Sequence, residues 1–346
     1  MPEKPRITLK DVARVAGVSP KSISRVINDE GGVSEETRQR IQEAISSLGY
    51  VANPVARRLR GASNVIGLVV SGFEDYAGQI LRGISQSSQH LRYNVILYVQ
   101  HTQGQPLESY QSLIASGLIG GLLMIVPYDY DILIELCETH QLPYVMVDFQ
   151  GHIPAPNTPT ITVTNKKGIH DAMRYLLALG HERIAFITGL MDMASARERL
   201  RGYREALEEV GLPYDESLVV DGDWTQIRGF EQSRDLLKRR PDLTAIMASD
   251  DLTAFGAMDA IKDAGLRVGE DVSVIGFDDI PMASSVYPAL TTIRQPMIRM
   301  GETAVELLVA LLEDRAPINL HREFGTELVI RQSTGKPSLR AQHSGK

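Results

Sequence analysis

The sequence predicts two folds in one chain: an N-terminal all-α head containing a helix-turn-helix, and an α/β body of two lobes with parallel sheets. Three observations predict it. The segment ITLKDVARVAGVSPKSISRVIN, residues 7–28, reads as two short helices broken at Gly17. From Asn64 onward, near-continuous apolar runs alternate with amphipathic ones. The charge divides at nearly the same place: residues 1–62 hold eleven Lys and Arg against seven Asp and Glu, a balance of +4, whereas the remainder holds 25 against 36, a balance of −11.

In the head, Thr8 caps a helix running to about Val15, with Asp11 in its first turn and Leu9, Val12, Ala13 and Ala16 as its apolar face. Gly17 suits the positive φ of the tight turn. Ser19 caps the second helix and Pro20 fits its first turn. Ile23, Val26 and Ile27 point inward, which leaves Lys21, Ser22, Ser24 and Arg25 for base edges or phosphates. A third helix is expected over about Ser34–Leu48, packing through Thr37, Ile41, Ala44, Ile45 and Leu48. The following NPVARRLR, residues 53–60, is either an inert linker or a hinge helix, capped by Asn53, that forms only when paired on DNA. Its one large apolar residue, Leu59, has the character of a minor-groove wedge.

The whole-chain net charge of −7 hides this basic head, which confines attraction for phosphate to one end. The single cysteine, Cys137, excludes an internal disulfide and suits core packing in a reducing compartment. No apolar leader and no run of 18 apolar residues is present, so a cytoplasmic protein without a membrane span is expected. No HExxH, HxxxH, GxSxG or phosphate-loop signature occurs, and no catalytic pair stands out; neither a metal, a cofactor nor an enzymatic activity is expected.

In the body, strand-like runs fall at 65–70, 95–99, 121–126 and 144–147, then at 184–188, 244–248 and 273–277. Helix-like segments include 78–90, 130–140, 168–179, 196–210, 229–239 and 252–264. The two series divide near 160–166, giving two αβ lobes. Ligands of such sheets sit beyond the carboxyl ends of the strands. Asp75 and Tyr76, Asp148, Asp250 and Asp251, and Asp278 and Asp279 follow strand ends there, with Arg197 and Trp224 nearby. Carboxylates and a guanidinium grip hydroxyls, and an indole face covers C–H surface, so the set suits a polyhydroxylated ligand. The residues alone leave other roles open: Trp224 as core, Arg197 in a surface ion pair with Glu198 or Glu205, Asp251 and Asp279 as helix caps, and Asp148 as a strand end.

With these residues in view, the chain resembles the lac-repressor and galactose-repressor family over about residues 7–333. The resemblance is carried by the 7–28 segment, VSEETRQRIQEAISSLGYVANPVARRLR (33–60), LRGI (81–84), ALGHERIAFITG (178–189), SARERLRGYREAL (195–207), DVSVIGFDDI (271–280) and PALTTIRQP (288–296). It implies a DNA-binding head over 1–52, a hinge and linker over 53–64, and a periplasmic-binding-protein-like body over 65–333. Lobe one then comprises 65–162 and 292–325, lobe two 163–291 and 326–333, and 334–346 is a flexible tail.

The resemblance further implies that Pro20, Lys21 and Arg25 lie in the recognition helix, that Ser22, Ser24 and Asn28 anchor the DNA backbone, and that Ala56 and Leu59 enter the minor groove. Thr8, Ser19 and Asn53 complete the DNA-binding set. The effector positions it implies are Asp75, Tyr76, Asp148, Arg197, Trp224, Ser249, Asp250, Asp278 and Gln295. Two departures from the family pattern matter: SGFEDYAGQ lacks the common Asn-Pro-Phe run, and Ser249-Asp250 stands where Asn-Asp is frequent. The implied partners are operator DNA, bound by a homodimer with half-sites about one helical turn (~34 Å) apart, and a mono- or oligosaccharide effector. A purine corepressor and a transport-type sugar-binding protein are the alternatives, and the sign of the ligand's effect stays open.

Overall fold

The computed structural model describes residues 9–27, 31–48, 63–72, 75–100, 107–127, 130–148, 150, 158–315 and 319–338. The chain divides into two compact units, residues 1–64 and 65–346.

The first unit holds α1 (Leu9–Ala16), α2 (Pro20–Ile27) and α3 (Glu35–Leu48). Their shared core is Val12, Ala13, Ala16, Ile23, Val26, Ile41 and Ala44, the residues that helical spacing assigns to one face of each. Gly17 ends α1 at φ 66°, and Val18 N donates to Ala13 O across the turn at 3.1 Å. Ser19 Oγ accepts from Ser22 N at 3.2 Å, and Ser34 Oγ accepts from Thr37 N at 3.3 Å, so a serine caps the starts of α2 and α3. Arg40 donates to Ala16 O at 3.3 Å and so covers a carbonyl at the end of α1. Thr8 and Asn28, and the hinge segment with Asn53, Ala56 and Leu59, lie outside the described residues.

The second unit contains two six-stranded sheets. The first is ordered β2 (Asn94–Val99), β1 (Val65–Val70), β3 (Gly121–Ile125), β4 (Tyr144–Val147), β5 (Thr160–Val163), β11 (His321–Phe324), all parallel. The second runs β7 (Val219–Val220), β6 (Ile184–Ile187), β8 (Ala245–Ala248), β9 (Ser273–Asp278), β10 (Thr291–Arg294), β12 (Glu327–Val329), with only the β10–β12 pair antiparallel. Helices cover both faces. In lobe one, α4 (Asp75–His90) and α11 (Met297–Leu312) lie on one side, and α5 (Leu107–Ala115) and α6 (Tyr130–Thr139) on the other. In lobe two, α7 (Asn165–Ala178) and α8 (Ala194–Glu209) oppose α9 (Gln226–Arg239) and α10 (Asp251–Asp263). Strand alternation splits the layers: Ile184 and Phe186 pack with α7 and α8, whereas Ala185 and Ile187 face the other layer. Helices α4 and α11 meet where Gly83 lies against the backbone at Ile298 and Gly301 against that at Ile80, an approach that leaves no room for a Cβ. Cys137 is buried between α6 and the sheet, and burial pushes its thiol up to about 12.

Three boundaries differ from expectation. Val163 stays in lobe one as the end of β5, so the first crossing falls at Thr164. The second falls after Arg294 rather than at 292, because Thr291–Arg294 pairs in register with Ile275–Asp278 and belongs to lobe two. The tail expected to be flexible from 334 is tied down at its start. Thr334 Oγ1 bonds the Tyr175 and Thr291 hydroxyls at 3.1 and 3.0 Å, and Gly335 N donates to Ser273 Oγ at 3.0 Å. Buried His181 adds a bond from its Nε2 to Gly335 O at 2.9 Å. The first and third crossings touch: Thr164 N donates to Phe324 O at 2.9 Å, and Thr326 N donates to Thr164 Oγ1 at 3.0 Å.

Candidate functional site

Between the carboxyl ends of the two sheets lies a cleft of about 660 Å³. Lobe one contributes Ser71, Asp75, Tyr76, Val126, Asp148 and Gln150 to its lining. Lobe two contributes Ser195 and Arg199 from α8, Asp223 and Trp224 from the loop before α9, Asp250 before α10, and Asp278 at the end of β9. Four lining residues, Val126, Asp148, Trp224 and Asp278, have φ of 41°, 57°, 68° and 120° without being glycine. Such backbone costs on the order of 1–3 kcal/mol per residue and concentrates at functional sites.

Asp148, Asp250 and Asp278 are 8, 6 and 7% exposed. Tyr76 Oη donates to Asp148 Oδ2 at 3.0 Å. Burial pushes the tyrosine hydroxyl well above its ordinary value, and the Asp148 charge adds to this. Burial also raises the carboxyls of Asp148 and Asp250, with the Arg199 charge opposing in both. Asp278 is pushed up to about 8 by burial, with Arg199 opposing and Asp250 adding. Asp278 Oδ1 accepts from Gln295 Nε2 at 2.6 Å. Asp251 lies beneath the floor, accepting from Ile280 N at 2.9 Å and from the Thr292 hydroxyl; burial and the Asp278 charge raise it strongly.

The arginine of the site is Arg199, and Arg197 is corrected. Arg197 donates to Met191 O and Asp192 O at 3.2 and 2.6 Å, closing the loop before α8, and is not among the lining residues. Two residues along a helix turn the side chain by about 200°, so the two arginines cannot share a face. Arg199 is buried, donates Nε to Asn165 Oδ1 at 2.8 Å and Nη1 to Ser249 O, and stacks 3.7 Å from the Phe277 ring centroid. It also lies 5.4 Å from the Trp224 centroid.

Ser249 and Gln295 are likewise not lining residues: both are buried behind the floor, Ser249 holding Arg199 and Gln295 holding Asp278. Asp250, not Asp251, caps α10, accepting from Thr253 N at 3.0 Å. Asp279 pairs with Arg294 and Arg331 at 2.7 and 2.6 Å instead of capping a helix. Asp75 stands exposed at the rim in the first turn of α4. The Trp224 indole lies flat on Gly189, and its buried Nε1 has no partner among the described residues.

Sequence reasoning missed Gln150 and Ser195 as well as Arg199. Gln150 Oε1 accepts from Ser195 N and Oγ at 3.1 and 2.9 Å, and its Nε2 donates to Asp148 O at 3.1 Å. Among the described residues, no group of three or more His, Cys, Asp and Glu is arranged to hold a metal ion.

In the head, Ser19, Pro20 and Lys21 are exposed at the start of α2. Ser22, Ser24 and Arg25 are half-buried, and the Arg25 guanidinium leans over Gly32.

A basic helix-turn-helix unit and a two-lobed α/β unit with a cleft that holds buried acidic side chains and a buried guanidinium define a ligand-responsive DNA-binding regulator. Two family models match: "Bacterial regulatory proteins, lacI family" over residues 8–53, and "Periplasmic binding protein-like domain" over residues 173–334. The regulator CelR of Thermobifida fusca is 35% identical over 344 residues, 96% of this chain and 100% of that protein. The repressor PurR of Photobacterium profundum is 32% identical over 331 residues, 94% of this chain and 98% of that protein. Among solved structures, the lac repressor dimer bound to operator and the anti-inducer ONPF gives a TM-score of 0.80 at 31% identity, over 95% of this chain and 99% of that one. The CelR–cellobiose complex gives 0.74 at 33% identity, over 95% of this chain and 100% of that one. The chain belongs to the lacI family of bacterial regulatory proteins. It is a DNA-binding transcription regulator and not an enzyme. No helix of the described residues is long and apolar enough to cross a membrane.

Proposed function

We propose that this regulator is a cytoplasmic, nucleoid-bound repressor that binds a pseudopalindromic operator as a homodimer and is controlled by a saccharide in the cleft. The observation that carries this reading is the meeting of one indole face, one buried guanidinium and three buried carboxylates in a single cleft lined by both lobes. An ionised carboxylate accepts from ring hydroxyls in charge-assisted bonds, the protonated Asp278 carboxyl donates to a ring oxygen, and the indole covers the C–H face of a pyranose. Resemblance to a regulator solved with cellobiose supports the class of ligand. A ligand touching both lobes binds one lobe arrangement better than another, and only that difference can shift operator affinity. In the head, the exposed start of α2 (Ser19, Pro20, Lys21) with Ser22, Ser24 and Arg25 reads or anchors DNA, Pro20 by apolar contact alone.

The test is calorimetric titration of the full-length protein with mono- and disaccharides and with purine bases, paired with operator binding by fluorescence anisotropy. A saccharide that binds and changes operator affinity is expected. A purine base that does so while every saccharide fails would replace the reading, and operator affinity unaltered by either would remove the cleft from regulation.

A further inference from the structure

We infer that the effector of this cleft is a saccharide without an anionic group, and that Asp250 is the side chain that sets this limit. This rests on the saccharide reading and narrows it. The described lining holds five acidic side chains, Asp75, Asp148, Asp223, Asp250 and Asp278, against one cationic side chain, Arg199; Asp278, pushed up to about 8, is protonated at pH 7 and adds no charge there. The guanidinium is already committed, to Asn165 Oδ1, to Ser249 O and to the face of Phe277. None of the three buried carboxylates has a cationic nitrogen within ion-pair distance among the described residues; their partners are a tyrosine hydroxyl, a backbone amide and a glutamine amide.

A feature of the cleft that would attract a phosphate is the N-terminus of α10, a 13-residue helix. Asp250 occupies it. Its Oδ1 takes the Thr253 amide, and its charge stands where a phosphate or carboxylate of a ligand would lie. Like charges a few ångström apart in a partly desolvated cleft repel strongly. Ring hydroxyls, by contrast, donate to the free carboxylate oxygens and are bound more strongly for the charge. An amine on the ligand meets the same field with favourable sign.

Asp250 can be discharged without dismantling the helix, because Asn caps as well as Asp. The experiment uses full-length wild type and Asp250→Asn, titrated at pH 7 with glucose, galactose, cellobiose and glucosamine, and with glucose 6-phosphate, galactose 6-phosphate and glucuronate. In wild type, the binding neutral sugar is expected to exceed its phosphorylated or uronic counterpart by at least about thirtyfold, with an amine costing nothing. Asp250→Asn is expected to narrow that gap at least about fivefold, since removing one of several like charges takes away part of the repulsion. A phosphorylated or uronic sugar within threefold of its neutral parent overturns the inference, as does a gap unchanged in Asp250→Asn. Failure of every sugar, charged or neutral, is a different result: it overturns the saccharide reading and this inference with it.

Discussion

Gly189→Ala tests the indole's role without touching the indole. The Gly189 backbone is the bed on which Trp224 lies, and a Cβ built there falls inside contact distance of Cε2, Cζ2 and Cη2 of the ring. The backbone itself gives no reason for glycine, since Gly189 is not among the positive-φ glycines. The substitution therefore acts on the ring, which must retreat by more than about 1 Å to restore ordinary carbon–carbon separations of about 3.5–4.0 Å. No hydrogen bond at Nε1 among the described residues resists the movement. One indole face covers roughly 100 Å² of ligand, worth about 2.5 kcal/mol at about 25 cal/mol per Å². Losing most of that face should weaken effector binding by about 2–3 kcal/mol, or about 30- to 150-fold. Trp224 is the only tryptophan in the chain, so its emission reports the movement directly. The expected result is a red-shifted spectrum, a binding loss of that size by fluorescence titration, and operator affinity in the absence of effector unchanged. Wild-type emission together with wild-type effector affinity would refute the reasoning.

Three further outcomes are expected. Arg199→Ala should weaken the effector by about 2–5 kcal/mol, since it leaves the buried acceptors Asn165 Oδ1 and Ser249 O unsatisfied and removes the positive charge near the buried acidic groups, whereas Arg197→Ala, half-exposed and outside the lining, should leave affinity within about twofold; calorimetry on both decides between the two arginines. Asp278 keeps its proton in the folded body up to about pH 8, while an unfolded aspartate releases it near ~3.9. Its contribution to stability is therefore complete below pH ~4 and is lost as pH rises through about 8. Asp278→Asn should flatten that slope and raise stability at pH 8 by about 1–3 kcal/mol in thermal or urea unfolding; an unchanged pH profile would remove the carboxyl as its cause. Lys21→Ala, at an exposed position of α2, should reduce discrimination between the operator and its point variants by about 1–3 kcal/mol at one base pair; uniform weakening with a salt slope reduced by about 1 would assign Lys21 to phosphate instead.

The sheets were legible where their strands are apolar and flanked on both faces: Val65–Val70 and Gly121–Ile125 are buried at every position. The strands not picked out, TITV, VV, TTIR, HREF and ELV, are short or polar, so their pairing is decided by neighbours rather than by pattern. The buried cleft carboxyls of Asp148, Asp250 and Asp278 were legible because strand ends locate them, whereas Asp223, on the loop before α9, was not. The arginine was misplaced although a signal existed. Ala196, Leu200, Tyr203, Ala206 and Leu207 form the buried stripe of α8 at helical spacing, and position 199 falls in that stripe whereas 197 falls opposite. A charged residue on an apolar stripe is the informative one. Gln150 was beyond reach, because nothing in the sequence joins residue 150 to a helix start 44 positions later.

That link bears on how a ligand in the cleft can be felt elsewhere. Gln150 follows β4 of lobe one, yet its carbonyl accepts from Ala194 N at 3.1 Å and its amide oxygen from Ser195 N at 3.1 Å. It thereby satisfies two of the open amides at the start of α8, the helix that carries Arg199. Its own amide nitrogen holds the carbonyl of Asp148 at 3.1 Å. A lining carboxylate of one lobe and the lining guanidinium of the other are thus joined through a single buried side chain. Gln150→Ala should leave the Ser195 amide unsatisfied in this lobe arrangement, a penalty of about 1–3 kcal/mol that an arrangement exposing the amide to water escapes. The substitution therefore shifts the balance between arrangements, not only the affinity of either. The quantity to measure is the factor by which effector changes operator affinity, and its reciprocal, the factor by which operator changes effector affinity; the two must agree. Gln150→Ala should move both by the same about 5- to 150-fold. A coupling factor identical to wild type would show that the clasp is equally made in every arrangement the body adopts.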